Sequence, residues 1–161
     1  METQLQRLTD EVEITRLLAA YSHAVMRLDA ARSAAVYTED GVLSAFAGPD
    51  VIGRAAIEKI LTKVYRPLSF LVQNCGSIVV EVEGDQARAS SSVSEFIRYK
   101  DKDQLSCCFG NYDDALIRTG EGWRFSRRRF NPFFSGTIQS DGTAFDAPAA
   151  PYLYAPFPPS L

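Results

Sequence analysis

The chain has 161 residues, of which 46% are hydrophobic and 23% charged, as is typical of one globular domain with one core. Its formal net charge of −3 gives no electrostatic reason to bind nucleic acid or an anionic membrane. The basic run from Arg127 to Arg129 falls in a predicted strand, where alternation divides it between two faces. Neither a signal-peptide pattern nor a bilayer-spanning apolar run is found, so we expect a cytoplasmic protein.

The N-terminal part predicts three helices. Apolar residues recur at helical spacing after Asp10, which is placed as the N-cap of a long amphipathic helix. Asp29 is placed to cap a second, short helix, and a short strand from Val42 to Phe46 follows it. A third helix is predicted from Arg54 to Tyr65, with Pro67 as its stop.

After Pro67 the apolar period changes from helical to alternating, which predicts strands. The predicted strands are Phe70 to Glu83, Gln86 to Tyr99, Leu105 to Arg118 and Trp123 to Phe130. Short turns join them, so the sheet is expected to be an antiparallel meander. Helices followed by strands indicate an α+β fold, with the helices covering one face of the sheet and an apolar pocket between the layers.

The composition changes again beyond residue 131. Residues 132–161 contain six of the eight prolines, several aromatic residues and no lysine or arginine. This predicts a domain over residues 1–131 and an extended arm over residues 132–161, too aromatic to be a solvated linker. We expect the arm to lie on a neighbouring subunit and to mediate self-association.

Several stretches resemble, in order, the SnoaL-like branch of the nuclear transport factor 2-like superfamily. They are residues 11–21, 37–42, 52–57, 79–85 and 112–124. The resemblance implies a cone-shaped barrel: a strongly curved antiparallel or mixed sheet wrapped around three N-terminal helices, with a deep apolar pocket. Members include polyketide cyclases, dehydratases and isomerases, and most transfer protons without a cofactor. The resemblance to the dehydratase-like members favours a trimer over a dimer for this chain.

Dehydratase-like members usually pair an aspartate on the first helix with a histidine on the first long strand. In this chain the matching positions hold Met26 and Gln73, so the usual dyad is missing. Gln73 and its neighbour Asn74 can orient a carbonyl or hydroxyl group of a substrate but cannot take its proton. Tyr21 matches a helix-one tyrosine of these enzymes, and its hydroxyl would bond either a substrate oxygen or a core acceptor.

Glu95 is the candidate acid–base residue. It shares a strand face with Ala87, Ala89, Ser91, Val93 and Ile97, and this apolar face is expected to line the pocket. Burial there would raise the pKa of the carboxyl toward neutrality. The resemblance to a bile-acid dehydratase also places a carboxylate here. The alternative is a structural ion pair with Arg98, Arg127 or Arg129.

Two further residues are candidates for binding a substrate. Asn111 lies on the third long strand, whose inward face the sequence leaves open because bulges can switch its parity. Arg127 is expected to share a face with Trp123 and Phe125. It could then reach the pocket as a counter-ion for Glu95 or for an anionic substrate.

No cofactor or metal is expected. His23 is the single histidine and lies away from the inward stripe of its helix, and the three cysteines have no zinc or disulfide spacing. Two functions remain open. The first is a cofactor-free lyase or isomerase that acts on a small apolar cyclic or aromatic substrate through Glu95 and Tyr21. Dehydration or double-bond isomerisation is the expected step, and retro-aldol cleavage and hydrolysis stay open. The alternative is a non-catalytic ligand-binding or assembly domain that lost the dyad.

Overall fold

A computed structural model describes residues 3–44, 48–139 and 141–142. The elements in chain order are α1 (Gln4–Met26), α2 (Ala30–Ala35), β1 (Tyr37–Ser44), β2 (Val51–Ile52), α3 (Arg54–Tyr65), β3 (Leu68–Glu83), β4 (Gln86–Tyr99), β5 (Leu105–Thr119) and β6 (Gly122–Ile138). Helices precede the long strands, and α1 contacts both β3 and β6. The expected α+β fold is therefore confirmed.

The strands form one open, mixed sheet in the order β2-β1-β6-β5-β4-β3. The four long strands β3 to β6 make the predicted antiparallel meander. Strand β1 departs from that pattern because it runs parallel to β6. Its neighbour in space therefore comes from the far end of the chain.

Helix α1 starts earlier than the sequence suggested. Thr3 is its N-cap, and the Thr3 hydroxyl accepts a hydrogen bond from the backbone N–H of Gln6. Asp10 is instead fully buried, where it forms an ion pair with Arg118 at 2.7 Å and accepts a bond from the Trp123 indole at 3.1 Å. The N-cap prediction for Asp10 was wrong because this carboxylate has partners on the sheet. The Asp29 cap is confirmed.

A bulge in β6 reverses the expected direction of its arginines. Pairing with β5 shifts between Ala115 and Leu116, so Phe125 and Arg128 point to the same inner face although three positions separate them. An extra residue in one strand switches the parity of everything after it. Arg127 therefore lies on the outer face, which contradicts the prediction that it shares a face with Phe125.

Strand β6 continues beyond Phe130 and takes up the first residues assigned to the C-terminal arm. Residues up to Ile138 pair with β5. Strand β1 pairs with β6 only as far as Arg129, and Pro132 pairs with Gly110 of β5 at a shift in register. Irregular or singly paired positions of this kind are where a strand tolerates proline. Residues 143–161 lie outside the described residues, and subunit contact through the arm stays a prediction.

Arg118 forms ion pairs with two carboxylates, Asp10 and Asp85. We predict that the buried one, Asp10, contributes much more to stability. Asp10→Ala should lower the free energy of unfolding by about 2–3 kcal/mol, because it removes a buried partner of Arg118 and Trp123. Asp85→Ala is the control, since Asp85 bonds the same guanidinium at 2.9 Å but is 81% exposed. Its effect should stay below about 0.5 kcal/mol. Urea denaturation measures both, and equal losses would contradict this reading.

Candidate active site

A small, partly open apolar cavity lies between the inner face of the sheet and the helices. Its volume is about 140 Å³. It is lined by Tyr21 and Val25 of α1, by Leu61, Val64 and Tyr65 of α3, and by Leu68, Leu71, Gln73, Glu95, Ile97 and Tyr99 of the sheet. Glu95 is the one charged side chain among these lining residues.

Glu95 reaches the cavity as strand alternation predicted. Ala87, Ala89, Ser91 and Val93 of the same face are buried, and Glu95 itself is partly buried. Its Oε1 atom accepts a hydrogen bond from Gln73 Nε2 at 2.7 Å. No arginine forms an ion pair with Glu95 in the described part of the chain, so the alternative of a structural ion pair is not supported.

Gln73 is the centre of a buried hydrogen-bond network. It is 2% exposed and lies opposite Glu95 in the β3–β4 register. Its Nε2 atom also donates to the Tyr112 hydroxyl at 3.1 Å. Its Oε1 atom accepts from the Ser22 hydroxyl at 2.9 Å. The network therefore connects helix α1 to the carboxylate through a single amide.

Burial governs the acid–base properties of the cavity. It raises the pKa of Glu95, and the hydrogen bond from Gln73 opposes the shift only in part. A carboxyl group with a raised pKa can both give and take a proton closer to neutrality. Burial also raises the pKa of Tyr21 well above its ordinary value, so this phenol stays protonated and can donate a hydrogen bond.

An ion pair lies behind the cavity wall. Arg128 and Asp114 are both buried and form two hydrogen bonds, at 2.8 and 2.7 Å. The Arg128 guanidinium stacks on the rings of Tyr21, Tyr112 and Phe125 at 4.5, 4.1 and 4.1 Å. Two of these rings belong to the site, Tyr21 as lining and Tyr112 as the acceptor for Gln73. The Arg128–Asp114 ion pair thus holds in place the part of the cavity wall that carries Tyr21 and Tyr112.

The remaining candidate residues lie away from the cavity. Asn74 is exposed because it alternates with Gln73. Asn111 bonds Asp113, an exposed residue of the outer face. Arg127 bonds Ser44 and Asp50. Met26 and the single histidine, His23, are partly buried on α1, and neither is among the lining residues.

Sequence reasoning missed three contributors to the site: Ser22, Tyr112 and Arg128. Ser22 directly follows Tyr21, and one helical step of roughly 100° can keep two neighbours on the same side. Tyr112 would have followed from pairing Glu95 with Cys108, since this register sends Gly110 and Tyr112 inward. The bulge that turns Arg128 inward has no marker in the sequence.

The described residues contain no group of three or more histidine, cysteine or acidic side chains that could hold a metal ion. Judged by length and hydropathy, none of the helices in this part of the chain could cross a bilayer.

Comparison with known proteins places this geometry in context. A family model described as a SnoaL-like domain matches residues 6–129. An uncharacterised protein of Mycobacterium tuberculosis is 32% identical over 125 residues, which are 75% of this chain and 84% of that protein.

The solved structures that share the fold include two from Novosphingobium species. One, from Novosphingobium aromaticivorans and provisionally assigned as a scytalone dehydratase, is 21% identical with a TM-score of 0.75, covering 91% of this chain and 97% of that one. The other is the type 3 hexachlorocyclohexane dehydrochlorinase LinA of Novosphingobium barchaimii. It is 16% identical with a TM-score of 0.79, covering 91% of this chain and 100% of that one.

We predict that replacing one member of the buried Arg128–Asp114 ion pair lowers stability much more than replacing both. Asp114→Leu should cost about 3–5 kcal/mol of stability because it leaves the Arg128 charge buried without its partner. Adding Arg128→Met should recover most of the loss, since an apolar pair of similar volume replaces two desolvated charges. Thermal or urea unfolding of Asp114→Leu, Arg128→Met and the double variant measures the coupling. Losses that simply add would contradict the prediction.

Proposed function

The chain belongs to the SnoaL-like domain family, and from this premise we propose that it is a cofactor-free lyase or isomerase acting on a small apolar ring compound. The observation that carries the proposal is Glu95. This carboxylate lines an apolar cavity and is held by the amide of Gln73 rather than by an arginine. A carboxyl group in such surroundings is suited to proton transfer.

The proposed chemistry uses one carboxyl group in both directions. The Glu95 carboxylate takes a proton from a substrate carbon next to a carbonyl, and the electron pair of that bond moves onto the carbonyl oxygen. The electron pair then moves back from the oxygen. In an isomerisation the double bond shifts as the carboxylic acid returns its proton to the far carbon of that double bond. In a dehydration a new C=C bond forms as the neighbouring C–O bond breaks, and the acid protonates the departing hydroxyl group, which leaves as water. Tyr21 donates a hydrogen bond to the oxygen that gains charge.

The cavity limits the size and charge of the substrate. A cavity of about 150 Å³ with apolar walls accommodates benzene in another protein, so the volume of about 140 Å³ suits a molecule with one ring. No cationic side chain is among the lining residues, and Glu95 would repel an anion. A neutral compound with one ring therefore fits best.

We predict that Glu95→Gln lowers turnover by about a hundredfold or more, because the amide keeps the shape but carries no exchangeable proton of suitable pKa. The assay is a panel of neutral single-ring β-hydroxy ketones and β,γ-unsaturated ketones, in which ultraviolet absorbance follows the new or shifted double bond. Glu81→Gln is the matched control, since it makes the same change at an exposed position of the neighbouring strand.

Folding can be separated from catalysis in this variant. The folded-state pKa of Glu95 is raised, so folding favours the protonated form and this carboxyl weakens stability as pH rises through the raised pKa. Glu95→Gln should therefore be at least as stable as the wild type at neutral pH. Activity kept within a few-fold in a folded variant would remove Glu95 from the mechanism.

A non-catalytic binding protein is the second candidate. It is favoured by Gln73, which stands where dehydratase-like members resembling this chain carry histidine and whose amide donates or accepts three hydrogen bonds to neighbouring oxygens. Ligand binding without turnover of any compound in the panel, in wild type as in Glu95→Gln, would support this candidate.

Restoring the missing dyad should not increase activity. Met26→Asp with Gln73→His replaces the amide that connects Ser22, Glu95 and Tyr112, and it introduces a charge at a partly buried position away from the cavity lining. The expected result is equal or lower turnover on the native substrate, together with reduced stability. A clear rate gain in steady-state kinetics would show that Gln73 is not needed for the native reaction.

A further inference from the structure

The amide of Gln73 has different partners on its two sides. The hydroxyl of Ser22 lies 2.9 Å and the thiol of Cys75 lies 3.7 Å from Oε1. Nε2 lies 2.7 Å from the Glu95 carboxylate and 3.1 Å from the Tyr112 hydroxyl. Hydrogen-bond donors thus face the oxygen, and acceptors face the nitrogen.

Ser22 is the partner that favours this orientation of the Gln73 amide over the flipped one. Its hydroxyl carries one proton, and it lies 3.1 Å from Cys75 Sγ. The hydroxyl gives that proton either directly to Gln73 Oε1 at 2.9 Å, or to Cys75 Sγ, whose thiol then donates to Oε1 at 3.7 Å. The direct bond from Ser22 is the shorter one, and the thiol is a weak donor. Without Ser22, the amide could turn over and present its oxygen to a protonated Glu95.

The orientation of the amide decides what Glu95 offers to a ligand. With Nε2 bound to Oε1, this oxygen stays an acceptor in either protonation state of the carboxyl. No hydrogen bond to Oε2 is found among the described residues, so in the ionised carboxyl this atom is the charged acceptor left for a ligand. With the amide turned over, Glu95 is protonated on Oε1 and its Oε2 is a neutral, weaker acceptor. The other polar lining groups include the hydroxyl of Tyr65, which bonds Ser33 at 3.2 Å.

We propose that Ser22 is a positioning residue that makes the cavity selective for neutral single-ring compounds that donate a hydrogen bond, such as phenols and ring alcohols. The inference rests on the proposed function only for the location of the site. Carboxylates are disfavoured because they meet Glu95, and compounds without a donor leave its oxygen unpaired. The hydroxyl of Ser22 acts through Gln73 and does not touch the ligand.

Other titratable groups near Glu95 do not supply this selectivity. Those that interact with Glu95 electrostatically are Tyr21 of α1, Tyr65 of α3, Cys75 of β3, and Cys108 and Tyr112 of β5. Burial raises the pKa of each of them, so they are neutral near pH 7. The buried Arg128 is paired with Asp114.

The test compares phenol with toluene, which has nearly the same shape but no donor. Affinities are measured at pH 7 by titration followed with amide NMR shifts, with benzoate as the anionic probe. The wild type should bind phenol in preference to toluene, and benzoate most weakly. Ser22→Ala should lower the ratio of phenol to toluene affinity about tenfold, which corresponds to about 1.4 kcal/mol.

Ser91→Ala is the matched control. Ser91 is a buried serine on the same face of β4 as Glu95, and its hydroxyl has no hydrogen-bond partner among the described residues. This variant should keep the wild-type ratio. In Ser22→Ala, the carboxyl resonance of Glu95 should also titrate at higher pH than in wild type, because the turned amide accepts a bond from the protonated acid. A merely structural role for Ser22 would not move this titration.

Two results would overturn the inference: equal affinity of the wild type for phenol and toluene, or an unchanged ratio in folded Ser22→Ala. These measurements need no turnover, so they are separate from the test of the proposed function. Either of these two results, together with an inactive Glu95→Gln, would reject only the role of Ser22. The expected affinities in the wild type and in Ser22→Ala, together with an active Glu95→Gln, would reject only the proposed chemistry.

Discussion

A buried guanidinium holds the cavity wall in place. Arg128 is fully buried, bonded to Asp114 and stacked on Tyr21, Tyr112 and Phe125. Removing a charge from water is costly unless its partner is also fixed, so strands β5 and β6 and helix α1 must meet in one arrangement. The hydroxyl of Tyr112 is thereby set where Gln73 needs an acceptor. The position of Glu95 depends in turn on that amide.

The parts that sequence could predict are those controlled by hydrophobic period. The third helix, the order of the long strands and the inward direction of Glu95 all follow from apolar residues at regular spacing. The cap by Asp29 follows from its position before a short helix. These features are local, or repeat over many residues, and so a single sequence carries them.

The predictions that failed concern contacts between residues that are far apart in the sequence. Asp10 was read as a cap because its partners, Arg118 and Trp123, lie more than a hundred residues away. Arg127 was placed inside because regular alternation assumes no bulge, and the extra residue, Ser126, is not the glycine that marks some bulges. The role of Ser22 likewise depends on the side chain of Gln73, which only the folded sheet brings near.

The parallel pairing of β1 with β6 has a consequence for how the chain can be synthesised and folded. β1 (Tyr37–Ser44) leaves the ribosome early, but its inner neighbour is part of β6 (Gly122–Ile138). Closing so long a loop is slow, and an unpaired strand edge is open to aggregation until it closes. Until β6 is translated, β1 can pair only with β2 and pack only against the helices. The sheet can be completed only when nearly all of the domain has been translated.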